Sequence, residues 1–212
     1  MTSNRTRLGG WALIAGTIMA AGAYLAAGTL IRGNGDTRYT SPLWTPLNSI
    51  AIAGGILIVL GLPVILAGHG RRAARLTLIG YAGLVTTLIM LNISEGCYEA
   101  FVKPYLAIHG GVPADEPGGL AVWEYAALLP LLAGLVCLGI AVIRARVFPR
   151  WAGALFIASP FAAIPHLPGP LAELSDYLAF IAIATIGLQT VRARTRHLSP
   201  TQGVAEVVPA AP

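Results

Sequence analysis

LAVWEYAALLPLLAGLVCLGIAVI, residues 120–143, is an apolar run in which Glu124 is the only charged side chain. About 20 apolar residues, at roughly 1.5 Å rise each, cross a hydrocarbon core of about 30 Å as a helix. This run is therefore long enough to span a membrane. Similar runs precede and follow it, and the one that starts at residue 151 is marginal in length. The predicted helices are about 8–31, 47–68, 76–96, 120–143, 151–165 and 171–191.

The composition agrees with this pattern, because 56% of the 212 residues are hydrophobic and only 11% are charged. We therefore expect an all-α integral membrane protein, a polytopic transmembrane bundle of six helices over residues 1–197. The first run follows Arg5 and Arg7, but it is longer than the apolar core of about 7 to 15 residues in a signal peptide, so a retained helix is expected. Residues 198–212 lack periodicity and are expected to be a disordered cytoplasmic tail.

The distribution of the basic residues indicates the membrane topology. They lie at the ends of apolar runs and not on one soluble face, so the formal net charge of +5 does not indicate a nucleic-acid partner. Under a six-helix model only Arg32, Arg38 and Lys103 fall on one side. The excess on the other side predicts that both termini are cytoplasmic and that the chain is a multi-pass protein of the cell membrane. That excess consists of Arg5, Arg7, Arg71, Arg72, Arg75, Arg144, Arg146, Arg150, Arg192, Arg194 and Arg196.

Small residues recur within the predicted helices and are expected to let neighbouring helices approach closely. The two long outer connections, residues 32–46 and 97–119, are rich in Gly, Pro and aromatic residues. They are expected to be ordered caps or mobile lids, and the sequence leaves both readings open. The small residues that recur within the predicted helices are Gly16, Ala20, Gly54, Gly61, Gly83, Gly134 and Gly139.

Acidic residues concentrate at the predicted outer end of the bundle, where five of the nine carboxylates lie. Ionisable groups at membrane depth are costly and usually line a protein interior or a wet cavity. The sequence hypothesis is an outward-open acidic pocket in which Asp176, Glu95 and His166 converge as candidate catalytic or proton-carrying groups. The candidate substrate-binding residues around them are Glu124, Glu173, Glu99, Tyr98, Trp123, Tyr177 and Asn92.

Simpler interpretations explain the same residues without a pocket. Glu124, Glu173 and Asp176 fall in the first turns of predicted helices, where the helix dipole favours negative charge. Glu99 precedes Lys103 by four residues, the spacing of a helical ion pair. The aromatic residues also fit an interfacial belt, and His166 also fits a packed interfacial histidine.

The segment PHLPGP, residues 165–170, is expected to interrupt the helical pattern near the level of Asp176. Irregular backbone at that depth is tolerated only where protein buries it or a wet cavity receives it.

Three functions are compatible with this pattern. The first is binding or transport of a small cationic solute or a proton, with a homo-oligomer as one form of the transport unit. The second is an enzyme that acts on a lipid or isoprenoid through a carboxylic acid that donates a proton. The third is a non-catalytic membrane partner or sensor. The expected partners are the lipid bilayer and a small molecule or lipid, and neither a cofactor motif nor a metal-ligand motif is present.

Two segments carry a resemblance to known sequences. FVKPYL at 101–106 and RARVFPRWAG at 144–153 resemble a widespread group of uncharacterised bacterial multi-span membrane proteins. The resemblance implies a six-helix bacterial membrane architecture and no particular activity.

Overall fold

The computed structural model describes residues 3–33, 35–69, 74–113, 118–162 and 174–195, and every regular element in these ranges is helical. Four stretches are long and apolar enough to cross a membrane, namely Asn4–Leu30, Trp44–Gly68, Arg75–His109 and Gly118–Ala145. The helices are α1 (Ser3–Leu30), α2 (Asp36–Tyr39), α3 (Trp44–Gly61), α4 (Pro63–His69), α5 (Ala74–Thr87), α6 (Lys103–His109), α7 (Gly118–Ala145), α8 (Arg150–Ala162) and α9 (Leu174–Thr195).

The all-helical class and the presence of membrane-length apolar helices thus agree with the sequence. The six-span count and the cytoplasmic termini stay predictions. The predicted tail, residues 198–212, and the PHLPGP segment lie outside the described residues.

The third membrane-length helix is longer than predicted. The sequence suggests an end near residue 96, but two π-helical segments, π1 (Leu88–Glu95) and π2 (Tyr98–Val102), carry the helix from α5 into α6. Pro104 does not end it, because the helix continues through α6 to His109.

The long helices form a ring. Helix α1 packs against α3 on one side and against α9 on the other, and the ring continues through α8 and α7 to α5. Contacts of α3 with π1 and π2 close it. The apolar core includes fully buried Leu13, Ile58 and Phe156 from three of these helices. Consequently each long helix turns one side toward a common interior.

Glycines bring the backbones of neighbouring helices together. A Cβ atom added to Gly54 of α3 would lie 2.6 Å from the carbonyl oxygen of Gly16 in α1. A Cβ atom on Gly83 of α5 would lie 2.6 Å from the Cα atom of Gly134 in α7. Such approaches supply the packing that drives helix association in a membrane. The predicted role of these four glycines in close packing is confirmed.

One end of the ring carries a cap, which we define as α2 together with α6. The two helices pack against each other. Asp36 Oδ1 accepts a hydrogen bond from the backbone N–H of Val112 at 3.0 Å, and the indole N–H of Trp44 donates to the carbonyl oxygen of Glu99 at 2.7 Å. The described parts of the two long connections are therefore joined to each other and to the bundle.

Candidate functional site

A cavity of about 500 Å³ lies inside the ring at its capped end, and we call it the central cavity. It has an apolar wall with polar, charged and aromatic side chains set into it. Every long helix of the ring contributes to the lining, as does α2. The charged residues of the lining are Arg38, Glu95, Glu99 and Asp176, the uncharged polar ones are Asn48, Thr87, Asn92 and Ser159, and the aromatic ones are Tyr24, Tyr39, Trp44 and Phe180.

Three of the predicted acidic residues line this cavity. Glu95 ends π1 and Glu99 lies one turn further along in π2, and both are half-buried. Asp176 is in the first turn of α9 and is exposed. Because the ring brings the third membrane-length helix and α9 to one interior, acids that are far apart in the chain reach the same wall. Glu124 is half-buried on α7 and is not among the described lining residues.

Glu99 is paired. Its Oε1 atom contacts the ammonium of Lys103 one turn later, which confirms the ion pair predicted from their spacing. The same ammonium lies 5.4 Å from the ring centroid of Tyr39 and 5.6 Å from that of Tyr98. Lys103 thus compensates the charge of Glu99 at the cavity wall.

Arg38 also lines the cavity, and sequence reasoning did not select it as a site residue. Its Cζ atom lies 5.0 Å from the ring centroid of Trp44, and the ring of Tyr39 meets Trp44 edge-on at 5.1 Å. The Nε atom of Arg38 is buried and has no hydrogen-bond partner among the residues that the structure describes. The only sequence signal was that Arg38 is one of three basic residues on the predicted outer side.

Asn92 connects two walls of the cavity. Its Nδ2 atom donates to the hydroxyl of Tyr24 in α1 at 2.8 Å, and Asn92 itself is 9% exposed. Its Oδ1 atom is buried, has no hydrogen-bond partner in the described part of the chain, and lies against Gly55 of α3. Asn92 therefore sits where π1 meets both α1 and α3. Tyr24 was also missed from the sequence, although a tyrosine in an apolar run signals a hydroxyl that needs a partner.

Thr87 is a second buried polar group at the wall. It is 5% exposed, and within the described ranges its Oγ1 atom has no hydrogen-bond partner. Thr17, Thr185 and Thr190 instead donate to the carbonyl oxygen four residues earlier. Thr87 directly precedes π1, where the backbone changes from α-helical to π-helical hydrogen bonding. Short π-helical segments are frequent at functional sites.

The predicted aromatic residues lie elsewhere. Tyr98, Trp123 and Tyr177 are not among the described lining residues. Trp123 is exposed, and its indole N–H donates to the carbonyl oxygen of Met90 at 3.1 Å, which ties α7 to π1. Tyr177 packs against the apolar core. Their assignment to substrate binding stays a prediction.

His166 and Glu173 lie outside the described residues, so the predicted convergence of His166 with Asp176 and Glu95 is not addressed by the structure.

The side chains of the lining determine which ligands the cavity can hold. Carboxylates attract a cation, aromatic rings can stack on it, and a guanidinium can donate hydrogen bonds to an anion or another acceptor.

No family model matches the chain, and neither curated proteins nor solved structures show a match to it.

Proposed function

We propose that this chain is a membrane protein that binds a small organic cation in the central cavity and moves it across the membrane. The observation that carries the proposal is that Glu95 and Asp176, from different helices, line one cavity together with aromatic side chains.

Size and composition support a small-molecule ligand. Ligand pockets are mostly apolar, contain a few placed polar groups and measure roughly 300 to 1,000 Å³. The central cavity, at about 500 Å³, falls in that range. The rings of Tyr24, Trp44 and Phe180 are part of its lining, and aromatic rings attract cations. A carboxylate that loses its cation can take up a proton, which gives a route to proton-coupled exchange.

We also propose the six-span topology with both termini in the cytoplasm. The support is the distribution of arginines, since Arg5, Arg75, Arg144 and Arg150 flank helices at the end away from the cap. In this orientation the cap and the acidic cavity face away from the cytoplasm. The short connection between α7 and α8 then faces the cytoplasm.

Binding and flux test the function. Purified protein in lipid nanodiscs is titrated by calorimetry with a panel of small amines, and efflux of a bound amine is followed in proteoliposomes. We expect Glu95→Gln and Asp176→Asn each to weaken amine binding by about tenfold or more, because each removes a charge-assisted interaction.

Glu124→Gln is the matched control, since Glu124 is a half-buried carboxylate that is not among the described lining residues. It should bind and transport like the wild type. The proposal fails if no amine binds, or if all three variants lose the same affinity. Amine binding without any flux would remove transport and leave a binding protein.

A further inference from the structure

A second cavity lies on the outer surface of the bundle, at the end away from the cap. It measures about 330 Å³ and runs between α1 and the helices α3 and α4, and we call it the α1–α4 groove. Leu8 and Leu60 in its lining are 68% and 66% exposed, whereas Leu13 and Leu62, close to them in the chain, are fully buried in the core. The groove therefore opens away from the ring. Its apolar lining consists of Leu8, Ala12, Leu60, Pro63, Val64 and Ala67.

The local sequence explains why space is left between these helices. Pro63 has no backbone N–H and begins α4 after α3 ends at Gly61, so the second membrane-length stretch is interrupted at this level. A Cβ atom on Gly9 would overlap with Val64, so α1 and α4 pack closely at the floor of the groove. Ala12 and Ala67 present only methyl groups beside them. Close packing at the floor and small side chains at the sides leave an open apolar groove.

The groove has one polar end, which is formed by Arg5 and Thr6. Arg5 is exposed and lies at the start of the membrane-length stretch Asn4–Leu30, where the lipid headgroups are expected. Ala12 lies about two turns further along α1, or about 10 Å deeper. The groove thus passes from a cationic group at the membrane surface to apolar side chains at the depth of the acyl chains.

The neighbouring helices do not neutralise Arg5. The sequence has no acidic residue before Asp36 and none between Asp36 and Glu95, so α1, α3 and α4 contain no carboxylate. Among the described residues Arg5 forms no ion pair, and its exposed side chain can be reached from the bilayer. A guanidinium offers several N–H donors in a geometry that matches phosphate, and the hydroxyl of Thr6 adds another donor. The charge and the position of this end are therefore complementary to an anionic lipid headgroup.

We propose that the α1–α4 groove binds one phospholipid with an anionic headgroup. Arg5 and Thr6 hold the phosphate, and the first part of an acyl chain lies along Ala12, Leu60 and Val64. Basic pockets between membrane helices on the cytoplasmic side bind such headgroups, and in the proposed topology this end faces the cytoplasm. The groove and the central cavity share no described lining residue, so the lipid site does not depend on cation binding in the cavity.

Photo-crosslinking tests the site. The full chain is reconstituted in phosphatidylcholine nanodiscs that contain a small fraction of a diazirine-labelled lipid, either phosphatidylglycerol or phosphatidylcholine with the same acyl chains. Mass spectrometry of peptides then locates the crosslinked residues. We expect phosphatidylglycerol to label the groove about fivefold more than phosphatidylcholine does, which is the gain expected from one arginine near an anionic membrane surface. The gain should shrink at high salt, because salt screens exposed charges.

Arg5→Gln should lower the phosphatidylglycerol labelling of the groove to the level of phosphatidylcholine, and Arg5→Lys should retain most of it because the charge remains. Arg7→Gln is the matched control. Arg7 is also exposed and close to the same membrane surface, but it lies about 200° around the helix from Arg5 and is not among the described lining residues. Its removal should leave the labelling of the groove as in the wild type.

A second pair of variants tests the apolar part. Ala67→Phe places a ring in the groove from an exposed position, so it should lower the labelling by both lipids. Ala15→Phe adds the same ring at an exposed position of α1 that is not among the described lining residues, and it should have no effect.

Three results would overturn the proposal. The first is equal labelling of the groove by the two lipids in the wild-type protein. The second is an equal loss in Arg5→Gln and Arg7→Gln, which would indicate a general attraction of anionic lipid to a basic surface. The third is labelling that Ala67→Phe does not lower, since the lipid would then lie outside the groove.

Discussion

Asn92 Nδ2 donates a hydrogen bond to the Tyr24 hydroxyl at 2.8 Å and so joins π1 to α1 at the wall of the central cavity. The ring of Tyr24 is stacked on Phe180 of α9 with 6.3 Å between the centroids, so the hydroxyl and the ring serve different contacts. One side chain thereby connects three helices that surround the cavity.

Tyr24→Phe should remove the hydrogen bond and leave the ring stacking in place. We expect the free energy of unfolding to fall by about 1 kcal/mol, the usual size of an interhelical hydrogen bond. Reversible unfolding in mixed micelles measures it. Tyr81→Phe is the control, because Tyr81 is half-buried against the same core and no hydrogen bond of its hydroxyl is described. If the free energy of unfolding falls equally in both variants, the hydrogen bond between Tyr24 and Asn92 does not contribute to stability.

Gly55→Ala should displace Asn92. A Cβ atom at residue 55 would overlap with Asn92 Oδ1, and the flexible amide would move before the backbone does. We expect a cost of about 1 to 3 kcal/mol, typical of overpacking, and part of it should come from the lost bond to Tyr24. The costs of Gly55→Ala and Tyr24→Phe should therefore be less than additive in the double variant.

Gly22→Ala is the matched control for that experiment. Gly22 also lies in a membrane-length helix, but an added Cβ atom there would meet nothing within 4 Å. Its stability should be unchanged or slightly higher. If the losses in the free energy of unfolding for Gly55→Ala and Tyr24→Phe add exactly in the double variant, Asn92 is not the partner that the two sites share.

Trp44→Phe should loosen the cap. The substitution removes the hydrogen bond from the indole to the Glu99 carbonyl and weakens the aromatic face beneath Arg38. We expect amide hydrogen exchange in α2 to become about five- to tenfold faster, which corresponds to about 1 kcal/mol of local stability. Trp11→Phe, at an exposed tryptophan of α1, should leave the exchange rates of α2 as they are.

If the amide hydrogen exchange of α2 is unchanged in Trp44→Phe, the prediction is wrong, and the cap is held by its other contacts, chiefly the hydrogen bond between Asp36 and Val112.

Much of the fold is readable from the sequence because it depends on local, additive signals. Apolar runs indicate membrane-length helices, and the glycines that bring helices together, such as Gly83 and Gly134, are small residues within those runs. The extension of the third helix to His109 was not readable. Leu88, Leu91, Asn92 and Glu95 recur at ordinary helical spacing, so their pattern does not distinguish a π-helix from an α-helix.

The site was readable only in part, for a related reason. The cost of a carboxylate at membrane depth draws attention to Glu95 and Asp176 from their positions in or beside apolar runs. Arg38 lies in a connection, and its place in the cavity depends on how α2 folds back over the ring, which is a tertiary contact without a local signal. Tyr24 could have been selected by asking where its hydroxyl finds a partner in an apolar helix.

The topology is tested with single cysteines in a background where Cys97 and Cys137 are replaced by serine. His109→Cys places a thiol at an exposed position in the cap, and Val147→Cys places one at an exposed position between α7 and α8. Because the arginine distribution predicts that the cap faces away from the cytoplasm, a membrane-impermeant maleimide should label residue 109 in intact cells and residue 147 only after permeabilisation. The reverse pattern would turn the acidic cavity toward the cytoplasm, and any transported ligand would then be captured from inside the cell. Labelling of both positions in intact cells would contradict the six-span arrangement, because the fourth membrane-length helix, Gly118–Ala145, would then not place residues 109 and 147 on opposite sides of the membrane.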